Sequence, residues 1–322
     1  MVNPVSSKNW QGWLGAGIFA FALAGALAGI PWIKRWFYQF AWWGYICMAD
    51  ACVQNKSGNS LIINRRSTFA LLCLTSAVFW FGWEMVNLRL NNWFYVGAPS
   101  RLGERWAGAF IAYATVLPGI FETYELLKVY GLNWGSRVRP IPRTRAWYSW
   151  FLGVGVLMLI LPLAYPHLFF PLVWGSLVFL LEPLNHFYGS SSLMRRWEEG
   201  DLSVFVRLLV AGFICGVFWE SWNWLAGARW VYNIPYLNQP KIFAMPLAGY
   251  LGFPPFAVEC YVFFASVSLL RGGRGWEADD CQRTLFRPIP SWLGWLLVLA
   301  ALAYGLWMCS MIDLHLVKGW AH

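Results

Sequence analysis

The chain has 322 residues, 59% of them hydrophobic and 12% charged, with a formal net charge of +9 and several apolar stretches near twenty residues long. That balance excludes a soluble globule and describes an all-α, polytopic membrane protein. The basic residues are dispersed among the segments between apolar stretches, which fits membrane topology and argues against a nucleic-acid partner.

At about twenty residues per span, nine transmembrane helices are predicted, near residues 12–31, 36–54, 67–89, 105–130, 147–165, 167–188, 203–226, 250–270 and 291–316. The first, in "SSKNWQGWLGAGIFAFALAGALAGI", has one early Lys and no small-residue cleavage site, so it reads as a retained span. The third ends in "FWFGWEMVN", with Glu84 between Trp83 and Asn87, and is followed by "NNWFYV". Pro118 interrupts the fourth. The seventh ends in "VFWESWN" and is followed by "ARWVY". Ahead of the eighth, "MPLAGYLGFPPF" holds three prolines and two glycines, so part of it is expected to be re-entrant or unwound. The 24 Trp and 24 Phe exceed what one core needs and are expected to form interfacial belts.

Sixteen Lys and Arg fall on the side of the amino terminus and eight on the other. The excess places the amino terminus in the cytoplasm of a multi-pass cell (inner) membrane protein.

An internal repeat organises the chain. Trp10 and Trp13 match Trp147 and Trp150, Trp93 and Tyr95 match Trp230 and Tyr232, and Tyr113, Pro118 and Glu122 match Tyr250, Pro255 and Glu259, all at an offset of 137 residues. Glu84 and Glu220 are 136 apart, and Asp50 and Glu182 are 132 apart. "RPIPSWLGW" at 287–295 echoes "RPIPRTRAWYSW" at 139–150. The predicted organisation is a first four-helix repeat at 1–138, a second at 139–286, and a ninth helix and tail at 287–322. Because four is even, the repeats share one orientation about a pseudo-twofold axis along the membrane normal, with a chamber expected between them.

Eight acids lie in or beside apolar segments: Asp50, Glu84, Glu122, Glu125, Glu182, Glu220, Glu259 and Asp313. Each would cost about 2.5–3.5 kcal/mol at a helix centre, so their retention needs a cause. In "WEMVN" and "WESWN" the i, i+3 spacing puts Glu and Asn on one helical face, where Asn87 or Asn223 could donate to the carboxylate and bridge to a neighbouring helix. Trp83, Trp93, Tyr95, Trp219, Trp222, Trp230 and Tyr232 could form an aromatic wall able to stabilise a developing cation. A buried acid in an aromatic box suits carbocation chemistry on an alkene. The structural alternative makes the acids interhelical glue, neutralised by Arg89, Arg229 or a loop arginine. Asp50 and Glu182, nearer the cytoplasmic edge, read as structural.

Other motifs are largely negative. The seven cysteines show no C-x-x-C pair, so neither a zinc site nor a disulfide framework is expected. His186 follows Glu182 by one helical turn and could hydrogen-bond to it or relay a proton, but the scarce histidines give little support for a haem or metal site. "RGGRG" at 271–275 lacks the context of a nucleotide loop and is expected to meet anionic headgroups. "EADD" at 277–280 reads as a solvated acidic turn. No cofactor and no metal is predicted.

Twice, an apolar helix ends in Trp and an acid, a W-x-Y follows about ten residues on, and a Pro-containing acidic motif lies on the next helix. "FGWE", "NNWFY" and "LPGIFE" give this order once, and "VFWE", "ARWVY" and "PPFAVE" give it again. In this order the chain resembles the membrane lycopene cyclases of the heterodimeric, carotenoid type and the related carotenoid hydratases, over roughly residues 65–130 and 200–270. It departs in having Glu where Asp is usual at 84 and 220, and a single acid four residues after each proline. The resemblance implies cofactor-independent proton chemistry on a long isoprenoid, with acids from both halves facing a lipid-accessible cavity.

The leading expectation is therefore a membrane enzyme that cyclises, hydrates or isomerises an isoprenoid, carotenoid or similar apolar lipid. Glu122 and Glu259 would be acid and base, Glu84 and Glu220 would supply protons, and the asparagines, tryptophans and tyrosines named above would shape the substrate site. Two other classes use the same residues: a proton-coupled transporter with a site at the repeat interface, and a non-catalytic subunit of a membrane complex, such as a quinone-reactive one, packed against partner membrane subunits.

Overall fold

The computed structural model describes residues 9–132, 137–236, 238–277 and 283–321. Lys8, Cys281, His322 and residues 278–280 of the acidic turn lie outside them. Glu277 is described, and it pairs with Lys128 at 2.6 Å.

The chain is mostly helical: α1 (Trp10–Leu27), α2 (Pro31–Ser57), α3 (Arg66–Leu90), α4 (Leu102–Tyr113), α5 (Val116–Val129), α6 (Tyr148–Ala164), α7 (Pro166–Phe169), α8 (Val173–Tyr188), α9 (Leu193–Glu198), α10 (Ser203–Leu225), α11 (Phe253–Leu269) and α12 (Ser291–His315). Seven helical segments among the described residues are long and apolar enough to cross a membrane: α1, α3, Thr144–Ala164, Pro166–Tyr188, α10, Leu247–Leu269 and α12. This makes the chain a multi-pass membrane protein. The two remaining predicted stretches are also helical. One is α2, which carries Lys34, Arg35 and Asp50; the other is divided into α4 and α5.

The division has a local cause. Pro118 has no N–H, and its ring would clash with the carbonyl four residues earlier, at Ala114. The helix stops there and restarts at Val116. Ser76 of α3 closes the gap, donating to the Tyr113 carbonyl at 2.5 Å and accepting from the Leu117 N–H at 3.0 Å. The Thr115 hydroxyl bonds the Ala112 carbonyl at 2.6 Å. Before α11 the helix is interrupted as expected, by a hairpin of β4 (Lys241–Ile242) with β5 (Met245–Pro246) and a 3-10 turn at Leu247–Gly252. Pro254 and Pro255 sit in the first turn of α11, where a missing N–H costs nothing.

The inner helices are α2, α5, α10 and α11, packed on one another, with α1 against α2, α8 against α11 and α12 against α3. Helix α1 approaches α2 through small residues. A Cβ at Gly15 would lie 2.5 Å from the Gly44 carbonyl oxygen, so this contact needs glycine. Outside sit α6 and α12, whose most apolar windows are only 11% and 22% buried. Trp13, Trp150, Trp292 and Trp295, at the starts of α1, α6 and α12, are 80%, 76%, 65% and 69% exposed, the placement expected of an interfacial belt.

Short strands at helix ends were not foreseen. Besides the β4–β5 hairpin, β1 (Trp93–Val96) pairs antiparallel with β3 (Arg229–Tyr232), and β2 (Ala98–Pro99) pairs parallel with β6 (Trp320–Ala321). The reason is local: Asn91 takes the left-handed conformation (φ 54°) that ends α3, and the aromatic, β-branched run after it suits an extended chain.

Ser76→Ala should leave the buried Leu117 N–H and Tyr113 carbonyl unpartnered and lower stability by about 1–3 kcal/mol. Thermal unfolding in detergent measures this, and an unchanged midpoint would show that the break does not rest on the serine.

Candidate functional site

The β1–β3 pair is built the same way from both sides. At the end of α3, the Asn87 amide donates to the Trp93 carbonyl at 2.8 Å, while its oxygen accepts from the N–H groups of Asn92 and Trp93 at 2.8 and 3.3 Å. At the end of α10, Asn223 donates to the Trp230 carbonyl at 3.0 Å and accepts from the Trp230 N–H at 2.9 Å. Both asparagines are fully buried. They do not bridge helices or serve the carboxylates, as the sequence suggested. Their amides match the donor and acceptor of an extended backbone, so each folds the next strand back over its own helix end.

The strands then pair Trp93 with Tyr232 and Tyr95 with Trp230. Gly227 N–H donates to the Lys34 carbonyl at 2.7 Å, and Tyr95 N–H to the Leu316 carbonyl at 2.8 Å. The α1–α2 turn, both strands and the end of α12 thus gather at one end of the bundle.

Folding the strands back brings their tyrosines onto the two acids. Glu84 Oε1 accepts from the Tyr95 hydroxyl at 2.5 Å, Trp80 Nε1 at 2.8 Å and Trp93 Nε1 at 3.1 Å. Tyr113 donates to the Tyr95 oxygen at 2.9 Å, extending the chain outward from the carboxyl. Glu220 Oε1 accepts from Tyr232 at 2.6 Å, while its Oε2 has no hydrogen-bond partner among the described residues. The Trp230 indole also lies beside this carboxyl. Neither glutamate is among the ion pairs of the described residues, which tie Glu125 to Arg65 and Asp313 to Arg105, each at 2.6 Å. Among the described residues, the neutralising arginine of the structural alternative is therefore absent at Glu84 and Glu220 and present at Glu125 and Asp313.

Beside these carboxyls lies a cavity of about 710 Å³, within the range of small-molecule sites. It extends from α2 and α4 (Arg35, Gln39, Trp106, Gly108) to α6, α8 and the turn before α11 (Met158, Trp174, Gly252). Glu220, Trp219, Trp230 and Tyr232 line it directly, as do Trp93 and Tyr95. Glu84 sits one layer back, behind Trp80, Trp93, Tyr95 and Tyr113, which all face the cavity. Phe256 is the hub of the wall, with ring centroids 5.9 Å from Trp80, 5.7 Å from Trp174 and 5.6 Å from Trp219. Trp83 is buried behind Trp174, at 5.0 Å, and Trp222 packs on Trp42 at 4.7 Å; neither lines the cavity.

Glu122 and Glu259 are elsewhere. Glu122 is fully buried beside Asp50 in the cluster with Gln11 and Ser60. That cluster belongs to the opposite end of the bundle, where α1 begins and α2 ends. Glu259 accepts from the Leu177 N–H at 3.0 Å, just past the kink at Trp174 that spoils the first turn of α8. It caps a broken helix from outside. The four acids therefore do not converge: Glu220 lines the cavity, Glu84 stands one layer behind it, and Glu122 and Glu259 lie elsewhere.

Asp50 accepts from the Ser60 hydroxyl at 2.9 Å and the Ile62 N–H at 2.7 Å, and Glu182 from Ser192 at 2.5 Å and the Met194 N–H at 2.8 Å. Each acid closes the loop after its own helix. His186 does not turn to Glu182, which is already occupied; its ring meets the Tyr148 hydroxyl at 2.7 Å and Glu198 at 3.4 Å. Outside the spans, the hydrogen bond from Thr144 holds the Glu198 carboxyl below the usual glutamate range. Among the described residues no three His, Cys, Asp or Glu side chains cluster as a metal site would require.

Sequence reasoning missed Trp80, Tyr113, Trp174 and Phe256 as parts of the site. Trp80 stands one turn before Glu84, and that i, i+4 spacing could have found it. Tyr113 was visible only as a repeated residue. Trp174 and Phe256 depend on how helices cross, which no spacing reveals. No protein-family model, curated protein or solved structure matches the chain.

Asn87→Ala removes three hydrogen bonds and Asn223→Ala two. Both should destabilise by about 1–3 kcal/mol through unsatisfied buried backbone groups, with Asn87→Ala the larger loss. Unfolding midpoints in detergent give the order, and equal or negligible losses would mean the strands are held by other contacts.

Proposed function

We propose that the chain is an integral membrane enzyme doing cofactor-independent acid–base chemistry on an isoprenoid or similar apolar polyene, the class suggested by its resemblance to the carotenoid-type cyclases and hydratases. The observation that carries this reading is Glu220: a carboxyl with no counter-charge and one unpartnered oxygen, in the wall of an apolar aromatic chamber. Glu122, Glu182 and Glu259 also keep oxygens without a hydrogen-bond partner among the described residues, but of these acids Glu220 alone lines the chamber, where a bare oxygen can pass its proton to a substrate.

In the proposed step the Glu220 carboxyl O–H bond breaks, and its proton adds to a terminal C=C of the bound polyene, leaving a tertiary carbocation on carbon. Trp219, Trp230 and Phe256 present ring faces to that charge. Loss of a proton from the neighbouring carbon to a carboxylate, either Glu220 itself or Glu84 through Tyr95, restores an alkene and gives isomerisation. Attack by a second double bond before that loss gives a ring, and capture by water gives an alcohol. No oxidant or reductant enters. In this assignment Glu84 and Glu220 carry the chemistry, while Glu122 and Glu259 support the fold.

The same reading takes the chain as two four-helix repeats and a ninth helix, with α2 and the α4–α5 pair counted as spans and the amino terminus in the cytoplasm of the inner membrane. Matching connections in the two parts support it. Asp50 and Glu182 each bond the residues 10 and 12 places on. Asn87 and Asn223 each fasten the following Trp. The β1–β3 register is unchanged if the halves are exchanged at an offset of 137, because Trp93 paired with Tyr232 becomes Trp230 paired with Tyr95.

A second reading, the proton-coupled carrier, is favoured by one feature: the stretch Met245–Gly252, a short strand and a 3-10 turn ahead of α11, forms part of the cavity wall, as unwound segments do in transporters. Proteoliposome uptake driven by a proton gradient and lost in Glu220→Gln would select it.

In cells making a panel of linear polyenes, Glu220→Gln should reduce conversion by about 100-fold or more, and Tyr232→Phe by about 10-fold. Glu122→Gln, where it folds, should stay within a few-fold of the parent. Chromatography of lipid extracts reads the outcome, and conversion that survives Glu220→Gln but fails in Glu122→Gln would overturn the assignment.

A further inference from the structure

Five charged side chains line the cavity: Arg35, Arg105, Glu220, Arg229 and Asp313. Arg105 is fully engaged, forking onto both Asp313 oxygens at 2.6 and 2.7 Å and lying 4.4 Å over the Trp320 ring. Arg35 and Arg229 form none of the ion pairs or side-chain hydrogen bonds found among the described residues, and neither contributes to the surroundings of the Glu220 carboxyl. Two arginines thus line one chamber with no side-chain acceptor among the described residues.

Their backbones stand close together. Gly227 bonds to the Lys34 carbonyl, and a Cβ on it would lie 3.3 Å from the Arg35 backbone nitrogen. Arg229 follows two residues later in β3, a reach of roughly 7 Å along an extended strand. Arg229 is exposed and Arg35 half-buried, so both belong to the rim, whereas the wall beyond is aromatic.

We propose that Arg35 and Arg229 bind the phosphoryl head of an amphiphilic prenyl substrate whose tail occupies the aromatic chamber. This rests on the reading of the cavity as a substrate site. Guanidinium forks suit tetrahedral phosphoryl oxygens, and two positive charges match a dianionic head better than a single carboxylate does. The tail then runs inward past Glu220, so the head fixes which double bond meets the acid.

The test is binding by the full chain in nanodiscs of zwitterionic lipid, followed through tryptophan fluorescence, with farnesyl phosphate, farnesol and inorganic phosphate as probes. The parent protein should take farnesyl phosphate at least about tenfold more tightly than farnesol. Arg35→Gln/Arg229→Gln should lose that preference yet keep its farnesol affinity, which also shows that it is folded. Glu220→Gln should keep the preference. Equal affinity for phosphate and alcohol in the parent, or a preference that survives in the double variant, would overturn the proposal. So would competition by inorganic phosphate at the same concentration as farnesyl phosphate, since it would identify a site for a free anion. Because the readout involves no turnover, a failure of the acid–base chemistry would leave this result unaffected.

Discussion

The cavity depends on one interaction, the antiparallel pairing of Trp93–Val96 with Arg229–Tyr232. An extended strand at a helix end exposes N–H and carbonyl groups that a bilayer interface satisfies poorly. Here the partner strand takes one edge and an asparagine from the preceding helix takes part of the other. Once held, each strand returns its tyrosine to the acid one turn above the asparagine, at 2.5 Å for Glu84 and 2.6 Å for Glu220. The same pairing makes the strands a partition that spaces the surrounding helices. Without it the tyrosines would have no reason to point inward, and the chamber would lose part of its lining.

The acids divide by what they accept. Asp50, Glu182 and Glu259 each receive a backbone N–H from a loop or a broken helix, so their negative ends complete hydrogen bonding that the backbone cannot complete alone. Glu125 and Asp313 each receive a guanidinium. These five have sufficient structural reasons for being where they are. Glu84 and Glu220 receive only side-chain hydroxyls and indoles; Glu220 lines the cavity and Glu84 lies behind residues that do.

Much of this was legible in the sequence. The apolar stretches located the helices because bilayer thickness sets their length, and Pro118 marked the break because a missing N–H acts locally. The Glu, Asn, Trp and Tyr set was found because its members recur in the same order at offsets of 136 and 137 residues. What they do with one another was not. Asn87 was expected to serve Glu84, three residues away on the same face, but the strand folding back offered it both a donor and an acceptor, a better match for an amide. Glu122 and Glu259 looked equivalent to the other acids by rarity alone; which end of the bundle each occupies is decided by helix starts and crossings. Arg35 gave no signal, since its position at the rim comes from the contact of Gly227 with the α1–α2 turn.

The two acids are alike in their tyrosines and unlike in the position one turn earlier. Four residues before Glu84 stands Trp80, whose indole donates to the carboxyl at 2.8 Å. Four residues before Glu220 stands Gly216, and the space a side chain would need is taken by the Phe253 ring, 2.2 Å from where its Cβ would be. A tryptophan there would have to displace Phe253 from between α10 and α11, so the packing denies Glu220 a donor at that position. Glu220 thus keeps one oxygen bare, as Glu182 and Glu259 also do, while Glu84 collects four donors. The two nodes share an asparagine and a tyrosine and differ in exposure: Glu220 opens on the chamber, and Glu84 is screened from it by its own donors.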